Sequence, residues 1–189
     1  MGVHLALVLP GGAGGPYTAP LLVPSLALEE TGALVEVVRY PDFRPHGLDR
    51  ADAVEFDAVV SERVAEILKR ESWSRVTFVA KSRGTLFLAA MGEVPLPADV
   101  DAIWVTPLLG LDYVRDGLID KHWRSLVVAG SADPYHDGGG HAKVCEATRA
   151  ESLIIDGANH GLVVKGSVRA TIEGFSALAD ASLAFVARA

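Results

Sequence analysis

The sequence has little cysteine, no surplus of basic residues and no long apolar run. Its 189 residues include one cysteine, Cys145, so no disulfide forms within the chain and a reducing, cytoplasmic setting is expected. The residues around Cys145 are typical of a helix, which indicates a buried structural thiol. The 17 basic residues against 24 acidic ones give a formal net charge of −7. That charge argues against a nucleic-acid partner, because nucleic-acid binders present a basic face.

Targeting and membrane signals are also missing from the sequence. The first segment, MGVHLALVLP, is apolar but short, and it has neither a basic leader nor a small-residue cleavage site. No uninterrupted apolar run approaches the roughly 20 residues that a membrane-spanning helix needs. We therefore expect a cytoplasmic protein that acts on a small molecule and has no membrane partner. The sequence does not predict the oligomeric state.

The apolar residues, half of the chain, are grouped into short runs separated by segments of helical period. Most runs are rich in β-branched residues and do not alternate, which is typical of strands buried on both faces. Pro20 and Pro24 are expected to limit how far the first helix extends towards the N-terminus. Strands that alternate with helices predict an α/β fold with a parallel sheet, formed by a single domain over residues 1–189. The predicted strands are 3–9, 34–40, 76–80, 102–106, 126–129 and 153–155.

A serine between two cations ends the third apolar run, in AKSRG. Ser82 follows a predicted strand and precedes a predicted helix, which is the context of the nucleophile elbow G-x-S-x-G. The elbow needs small residues two positions before and after the serine, because the strand and helix backbones nearly touch. Gly84 meets this requirement, and Ala80 departs from the glycine of the pattern. The alternative is a serine that only caps the following helix.

Polar residues also follow the fifth and sixth predicted strands. Ser82, Asp133 and His160 have the chain order of the triad in α/β-hydrolases, each just after a strand. A serine hydroxyl needs a base to take its proton, an imidazole does this near neutral pH, and a carboxylate orients the imidazole. An aspartate before a proline is equally typical of a turn, and a lone histidine of a loop. Weaker candidates for the acid and the base are Asp156, His136 and His141.

A glycine-rich segment, LPGGAGGPY, follows the first predicted strand. It is not a P-loop, because it contains no lysine, and Tyr17 takes the place of the last glycine in G-x-G-x-x-G. Glycines let the backbone approach a substrate closely. We therefore expect backbone N–H groups of this loop, with the N–H of Arg83, to form an oxyanion hole.

Together these motifs resemble the α/β-hydrolase fold superfamily, most closely its small, lidless branch of dienelactone-hydrolase-like and testis-expressed-protein-like members. The resemblance implies a three-layer sandwich whose mostly parallel six-stranded sheet has the spatial order 2-1-3-4-5-6 and no cap domain. It also implies that Ala13 donates the first oxyanion N–H, and Gly11 stands where that branch usually has histidine. The matching segments are PGGAGG (10–15), AKSRG (80–84), TPLL (106–109), GSADP (130–134) and GANHG (157–161).

The resemblance implies a serine esterase in which Ser82 attacks the ester, His160 moves the proton and Asp133 orients His160, without a metal or organic cofactor. Two alternatives remain, a non-catalytic binding module on the same fold and an acyltransferase with the same triad. The charges of Lys81 and Arg83 suit an anionic substrate, solvent or a local carboxylate. Trp104 suits a pocket wall or the core. The residues expected to contact substrate are Gly12, Lys81, Thr106, Pro107, Leu108 and Tyr135.

Overall fold

The computed structural model describes residues 2–12, 15–39 and 50–188, and for residues 50–57 it describes the helical backbone only. Strands and helices alternate along this part of the chain. The strands are Val3–Leu9 (β1), Leu34–Val37 (β2), Trp73–Lys81 (β3), Asp99–Val105 (β4), Arg124–Gly130 (β5) and Glu151–Ile155 (β6). The helices are Ala19–Glu30 (α1), Arg50–Leu68 (α2), Arg83–Ala90 (α3), Asp112–Asp120 (α4), Gly138–Thr148 (α5) and Val168–Ala187 (α6).

The strands form one parallel sheet in the order β2-β1-β3-β4-β5-β6, which confirms the predicted class and order. Successive residues of β3 face opposite apolar layers. Phe78 and Ala80 pack in the layer that contains α2, α3, α4 and α5, and Val79 packs in the layer that contains α1 and α6. Because both faces are covered, the strands carry nearly continuous apolar runs.

Helix α1 differs from its prediction. It begins at Ala19, and both Pro20 and Pro24 lie inside it. Pro20 is in the first turn, where backbone N–H groups have no acceptor within the helix. The N–H that proline lacks therefore costs the helix no hydrogen bond. Pro24 is buried, and α1 packs along α6, so tertiary packing outweighs the local cost of this proline.

The segment between β4 and β5 is described throughout and is short. It contains α4 alone, which packs against α3. In an α/β-hydrolase a cap domain normally grows from this segment, so the described chain carries no cap there. Among the described residues, no cap domain therefore covers the carboxyl ends of the strands on this side.

Helix α6 is, among the described residues, the one helix long and apolar enough to cross a membrane by length and composition. Charged residues such as Arg169 and Asp180 interrupt it, so it does not read as one continuous apolar run in the sequence. In the structure Leu178 and Phe185 of α6 are fully buried in the layer that also contains α1. These buried residues of α6 thus form part of the core, while other apolar residues of the same helix are exposed.

Candidate active site

Ser82 lies at the sharp turn between β3 and α3. Its φ of 51° and ψ of −115° are rare for a residue with a side chain. Its N–H donates to the carbonyl oxygen of Val105 in β4 at 3.1 Å, so the turn starts at the very end of the sheet. The hydroxyl makes no capping hydrogen bond to α3, contrary to the capping alternative. This backbone presents the hydroxyl at the carboxyl edge of the sheet.

Small residues on either side of Ser82 make room for this turn. A Cβ on Gly84 would stand 2.2 Å from the carbonyl oxygen of Leu9 in the adjacent strand β1. Only a shift of the backbone could relieve such a contact, so glycine is required here. Ala80 is fully buried, and its register partner in β4 is Trp104, also fully buried. The core therefore accommodates the methyl group of Ala80, and Trp104 is a core residue rather than a pocket wall.

Hydrogen bonds join Ser82, His160 and Asp133 in one chain. Nε2 of His160 lies 2.7 Å from Oγ of Ser82, and Nδ1 of His160 lies 2.7 Å from Oδ2 of Asp133. The other carboxylate oxygen of Asp133 accepts the N–H of Tyr135 at 2.9 Å. Asp133 thus closes the turn that its sequence context suggested and contacts His160 as well. The arrangement lets a proton pass from the hydroxyl to a base held by a carboxylate.

The environment of Asp133 favours its ionised form. Burial by itself would raise the pKa of Asp133, but the hydrogen bonds from His160 and from the N–H of Tyr135, with the charges of His160 and Lys81, bring that pKa below its ordinary value. Burial lowers the pKa of Lys81, and the charge of Asp133 opposes this fall. Lys81 is therefore an electrostatic neighbour of the carboxylate.

The loops that carry Asp133 and His160 are held against each other by their backbones. A Cβ on Gly130 would stand 2.2 Å from the carbonyl oxygen of Ala158, so glycine permits this close approach. The N–H of Ala132 donates to the same oxygen at 2.9 Å. The distance between the carboxylate and the imidazole is consequently set by the backbone as well as by the side chains.

The weaker candidates for the acid and the base have other partners. Asp156 is exposed and accepts a hydrogen bond from the hydroxyl of Ser131 at 2.9 Å. His141 is buried, and its Nε2 lies 2.8 Å from Oγ of Ser152. His136 packs edge-on against His141, with 5.5 Å between the ring centroids. Among the described contacts, none of these side chains joins the hydrogen-bonded chain of the site.

The single thiol and the potential metal ligands stand apart from this site. Burial raises the pKa of the Cys145 thiol, and a hydrogen bond with Ser152 opposes the rise only in part. A raised pKa disfavours the reactive thiolate. Cys145 is only partly buried, however, whereas the sequence predicts a buried thiol. Within residues 2–12, 15–39 and 58–188, no three His, Cys, Asp or Glu side chains are grouped as metal ligands.

The predicted oxyanion donors are only partly within the described residues. Ala13 lies outside them. Arg83 is the first residue of α3, so its N–H has no acceptor within the helix. A Cβ on Gly11 would stand 3.3 Å from Cβ of Ser82, and one on Gly12 would stand 2.9 Å from Cδ of Arg83. The glycine loop therefore runs directly beside the serine, with no side chain between them.

The residues expected to line a pocket differ in their exposure. Tyr135 is 51% exposed, and its ring meets that of His160 edge-on with 5.1 Å between the centroids. Thr106 is 1% exposed, has a positive φ of 44°, and its hydroxyl has no hydrogen-bond partner among the described residues. Pro107 and Leu108 are buried, and Leu108 belongs to the core layer of α2 to α5. Of these residues, Tyr135 is the one whose side chain is both exposed and in contact with the site.

No protein-family model and no curated protein matches this sequence, but solved structures match its fold. Est1E from Butyrivibrio proteoclasticus is 14% identical with a TM-score of 0.65, over 98% of this chain and 89% of that one. An α/β serine hydrolase homologue from Coxiella burnetii is 14% identical with a TM-score of 0.66, over 96% and 84%. XC6422 from Xanthomonas campestris, an α/β serine hydrolase without a lid, is 17% identical with a TM-score of 0.65, over 100% and 83%. The chain therefore has the α/β-hydrolase fold.

Proposed function

We propose that this protein is a serine hydrolase that cleaves carboxylic esters through an acyl-enzyme on Ser82. The observation that carries the proposal is the continuous chain of hydrogen bonds from Ser82 through His160 to Asp133, with 2.7 Å at each step. The rare backbone conformation of Ser82 adds support, because such strain is retained where a function requires it. The fold supports a hydrolase in general, and the ester specificity is our inference.

In the proposed reaction, Nε2 of His160 accepts the hydroxyl proton as Oγ of Ser82 attacks the ester carbonyl. His160 then gives this proton to the departing alcohol, and an acyl-enzyme remains on Ser82. Water, deprotonated by the same nitrogen, attacks the acyl group and releases the carboxylic acid. Asp133 stays ionised throughout, holds the Nδ1–H of His160 and stabilises the imidazolium.

The negative charge of the tetrahedral intermediate needs hydrogen-bond donors. The N–H of Arg83, at the start of α3, is the proposed donor on the nucleophile side. The N–H of Ala13 is the proposed donor from the glycine loop, and the course of Gly11 and Gly12 beside Ser82 supports it. One structural neighbour, Est1E, has been solved with ferulic acid bound, and a carboxylic acid is the class of product that ester hydrolysis releases.

Hydrolysis of p-nitrophenyl esters of different chain length tests this proposal. We expect turnover with a burst of nitrophenol equal to the enzyme concentration when deacylation is slow. Ser82→Ala should abolish the burst, and Ser74→Ala is the matched control, since Ser74 lies on the same strand at its opposite, exposed end. A folded wild-type protein without activity would favour the non-catalytic alternative. Ester products formed with added alcohols would instead identify an acyltransferase.

A further inference from the structure

The side chain of Arg83 lies along the glycine loop beside the proposed nucleophile. A Cβ on Gly12 would stand 2.9 Å from Cδ and from Nη1 of Arg83, and 3.1 Å from Cζ. The guanidinium therefore fills space that any larger residue at position 12 would take. Arg83 is half-buried, so part of this guanidinium is shielded from water.

This guanidinium has no partner among the described residues, where no carboxylate pairs with it and no acceptor takes its hydrogen bonds. Two other arginines with shielded side chains differ, since Arg75 and Arg124 both contact Asp101. A guanidinium offers five donors, and leaving them unpaired in a partly buried place costs free energy. An anion supplied by a ligand would satisfy them.

The other cation beside Ser82 has a counter-charge within the chain. Asp133 opposes the fall that burial causes in the pKa of Lys81, and Lys81 in turn helps to lower the pKa of Asp133. The carboxylate of Asp133 therefore offsets part of the charge of Lys81, without a direct ion pair between them among the described residues. Of the two cations that flank Ser82 in the sequence, Arg83 is the one without such a neighbouring carboxylate in the described part of the chain.

The positions of Gly11 and Gly12 limit the distance between the guanidinium of Arg83 and the hydroxyl of Ser82. A Cβ on Gly11 would stand 3.9 Å from Oγ of Ser82, and one on Gly12 would stand 2.9 Å from Nη1 of Arg83. Because consecutive Cα atoms are about 3.8 Å apart, these distances place the guanidinium no farther than on the order of 10 Å from Oγ. A carboxylate separated from the scissile ester by a short chain or one ring spans such a distance.

We propose that Arg83 binds a carboxylate of the substrate, so that the enzyme prefers esters carrying a carboxylate a few bonds from the scissile carbonyl. This inference rests on the proposed hydrolase function, because it names the substrate class of the same site. Charge-assisted hydrogen bonds to a guanidinium are strong and often bidentate, which suits recognition of a carboxylate. The carboxylate belongs either to the acyl part or to the leaving group, and the two are separated by experiment.

The test compares kcat/KM for matched charged and neutral esters. The acyl pair is p-nitrophenyl hydrogen glutarate and its methyl ester; the leaving-group pair is 3-carboxy-4-nitrophenyl butyrate and p-nitrophenyl butyrate. We expect wild type to prefer the charged ester of one pair, and Arg83→Gln to reduce that ratio by about tenfold to a hundredfold. A change beside the oxyanion donor that lowers activity in general lowers kcat/KM for the charged and the neutral ester alike. The ratio of the two values is therefore unaffected by such a general loss. Equal ratios for wild type and Arg83→Gln in both pairs would overturn the proposal.

Two further variants make this comparison specific. Arg188→Gln removes an equal charge from the far end of the sheet, where Arg188 pairs with Glu151, and should leave both ratios unchanged. Gly12→Ala keeps the guanidinium but displaces it, so the preference for the charged ester should fall although Arg83 is present. Circular dichroism checks that each variant is folded. An unchanged preference in Gly12→Ala would contradict the assigned position of the guanidinium.

Binding to a protein that cannot turn over separates this proposal from the hydrolase proposal. Calorimetry on Ser82→Ala with glutarate and with benzoate should give binding of at least one anion, at least tenfold weaker when Arg83→Gln is added. If neither ester is hydrolysed but an anion binds through Arg83, the hydrolase proposal fails and the carboxylate site stands. If both esters are hydrolysed and no anion binding depends on Arg83, the carboxylate site fails and the hydrolase stands.

Discussion

Replacing Ser82 by glycine and by alanine measures the strain at the turn. Both changes remove the hydroxyl and its hydrogen bond to His160, but only glycine adopts a φ of 51° with a ψ of −115° at little cost. A side chain held in such a sparsely populated region costs about 1–3 kcal/mol. Glycine in turn costs about 0.5–1 kcal/mol through the entropy of the unfolded chain. The difference leaves Ser82→Gly more stable than Ser82→Ala by about 1 kcal/mol.

The assay is urea unfolding followed by tryptophan fluorescence, with thermal unfolding as a second measure. A stability gain of about 1 kcal/mol corresponds to about 2–4 °C in Tm for a chain of this size. The control uses Ser74, an exposed residue near the start of β3 that lies where the register with β1 shifts but does not have a positive φ. There Ser74→Gly should be less stable than Ser74→Ala, because glycine relieves no backbone strain at this position and only adds entropy to the unfolded chain. If Ser82→Gly were no more stable than Ser82→Ala, the turn would not be strained and this reasoning would be refuted.

Three other predictions concern the acid, the turn and the effect of pH on stability. Asp133→Asn should lower kcat/KM by about 10³–10⁴-fold, since His160 loses its ionised partner, whereas Asp156→Asn should leave activity near wild type; the reverse order would disprove the choice of acid. Gly84→Ala should destabilise the protein by about 1–3 kcal/mol in urea unfolding, because its Cβ would stand 2.2 Å from a carbonyl oxygen of β1, and an unchanged midpoint would contradict the packing. Burial, aided by Arg75 and opposed by Asp101, lowers the pKa of His4 from 6.5 to about 4. The folded state therefore binds this proton less readily than the unfolded chain does, and stability should fall as the pH drops from about 6.5 towards about 4. His4→Gln should flatten that dependence, and an equally steep loss in the variant would refute the assignment.

The neighbourhood of Ser82, Asp133 and His160 could be predicted from the sequence because parallel strands bring their carboxyl ends to one edge of the sheet. Each residue follows a strand within a few positions, so the topology alone places them at the same edge. The structure adds the hydrogen bonds and the strained turn. The catalytic roles of the three residues stay predictions until they are measured.

Other features depend on contacts that no local pattern contains. Whether Lys81 or Arg83 faces a ligand depends on the pleat at the end of β3 and on the residue at which α3 begins. Leu108 follows a strand end like the site residues, but it packs into the core instead. Pro24 lies within α1 because burial against the rest of the fold outweighs its local preference. In each case the outcome depends on tertiary packing, which cannot be predicted from local propensity or from the spacing of residues.

The most direct test of the account is labelling with a fluorophosphonate probe, read by intact mass and peptide mapping. We predict one adduct per chain, located on Ser82, and lost in both Ser82→Ala and His160→Ala, because the triad members act as a unit. Ser74→Ala should be labelled like wild type. A folded wild-type protein that carries no adduct, or one whose adduct lies on another residue, would contradict the proposal that Ser82 is the nucleophile of a serine hydrolase.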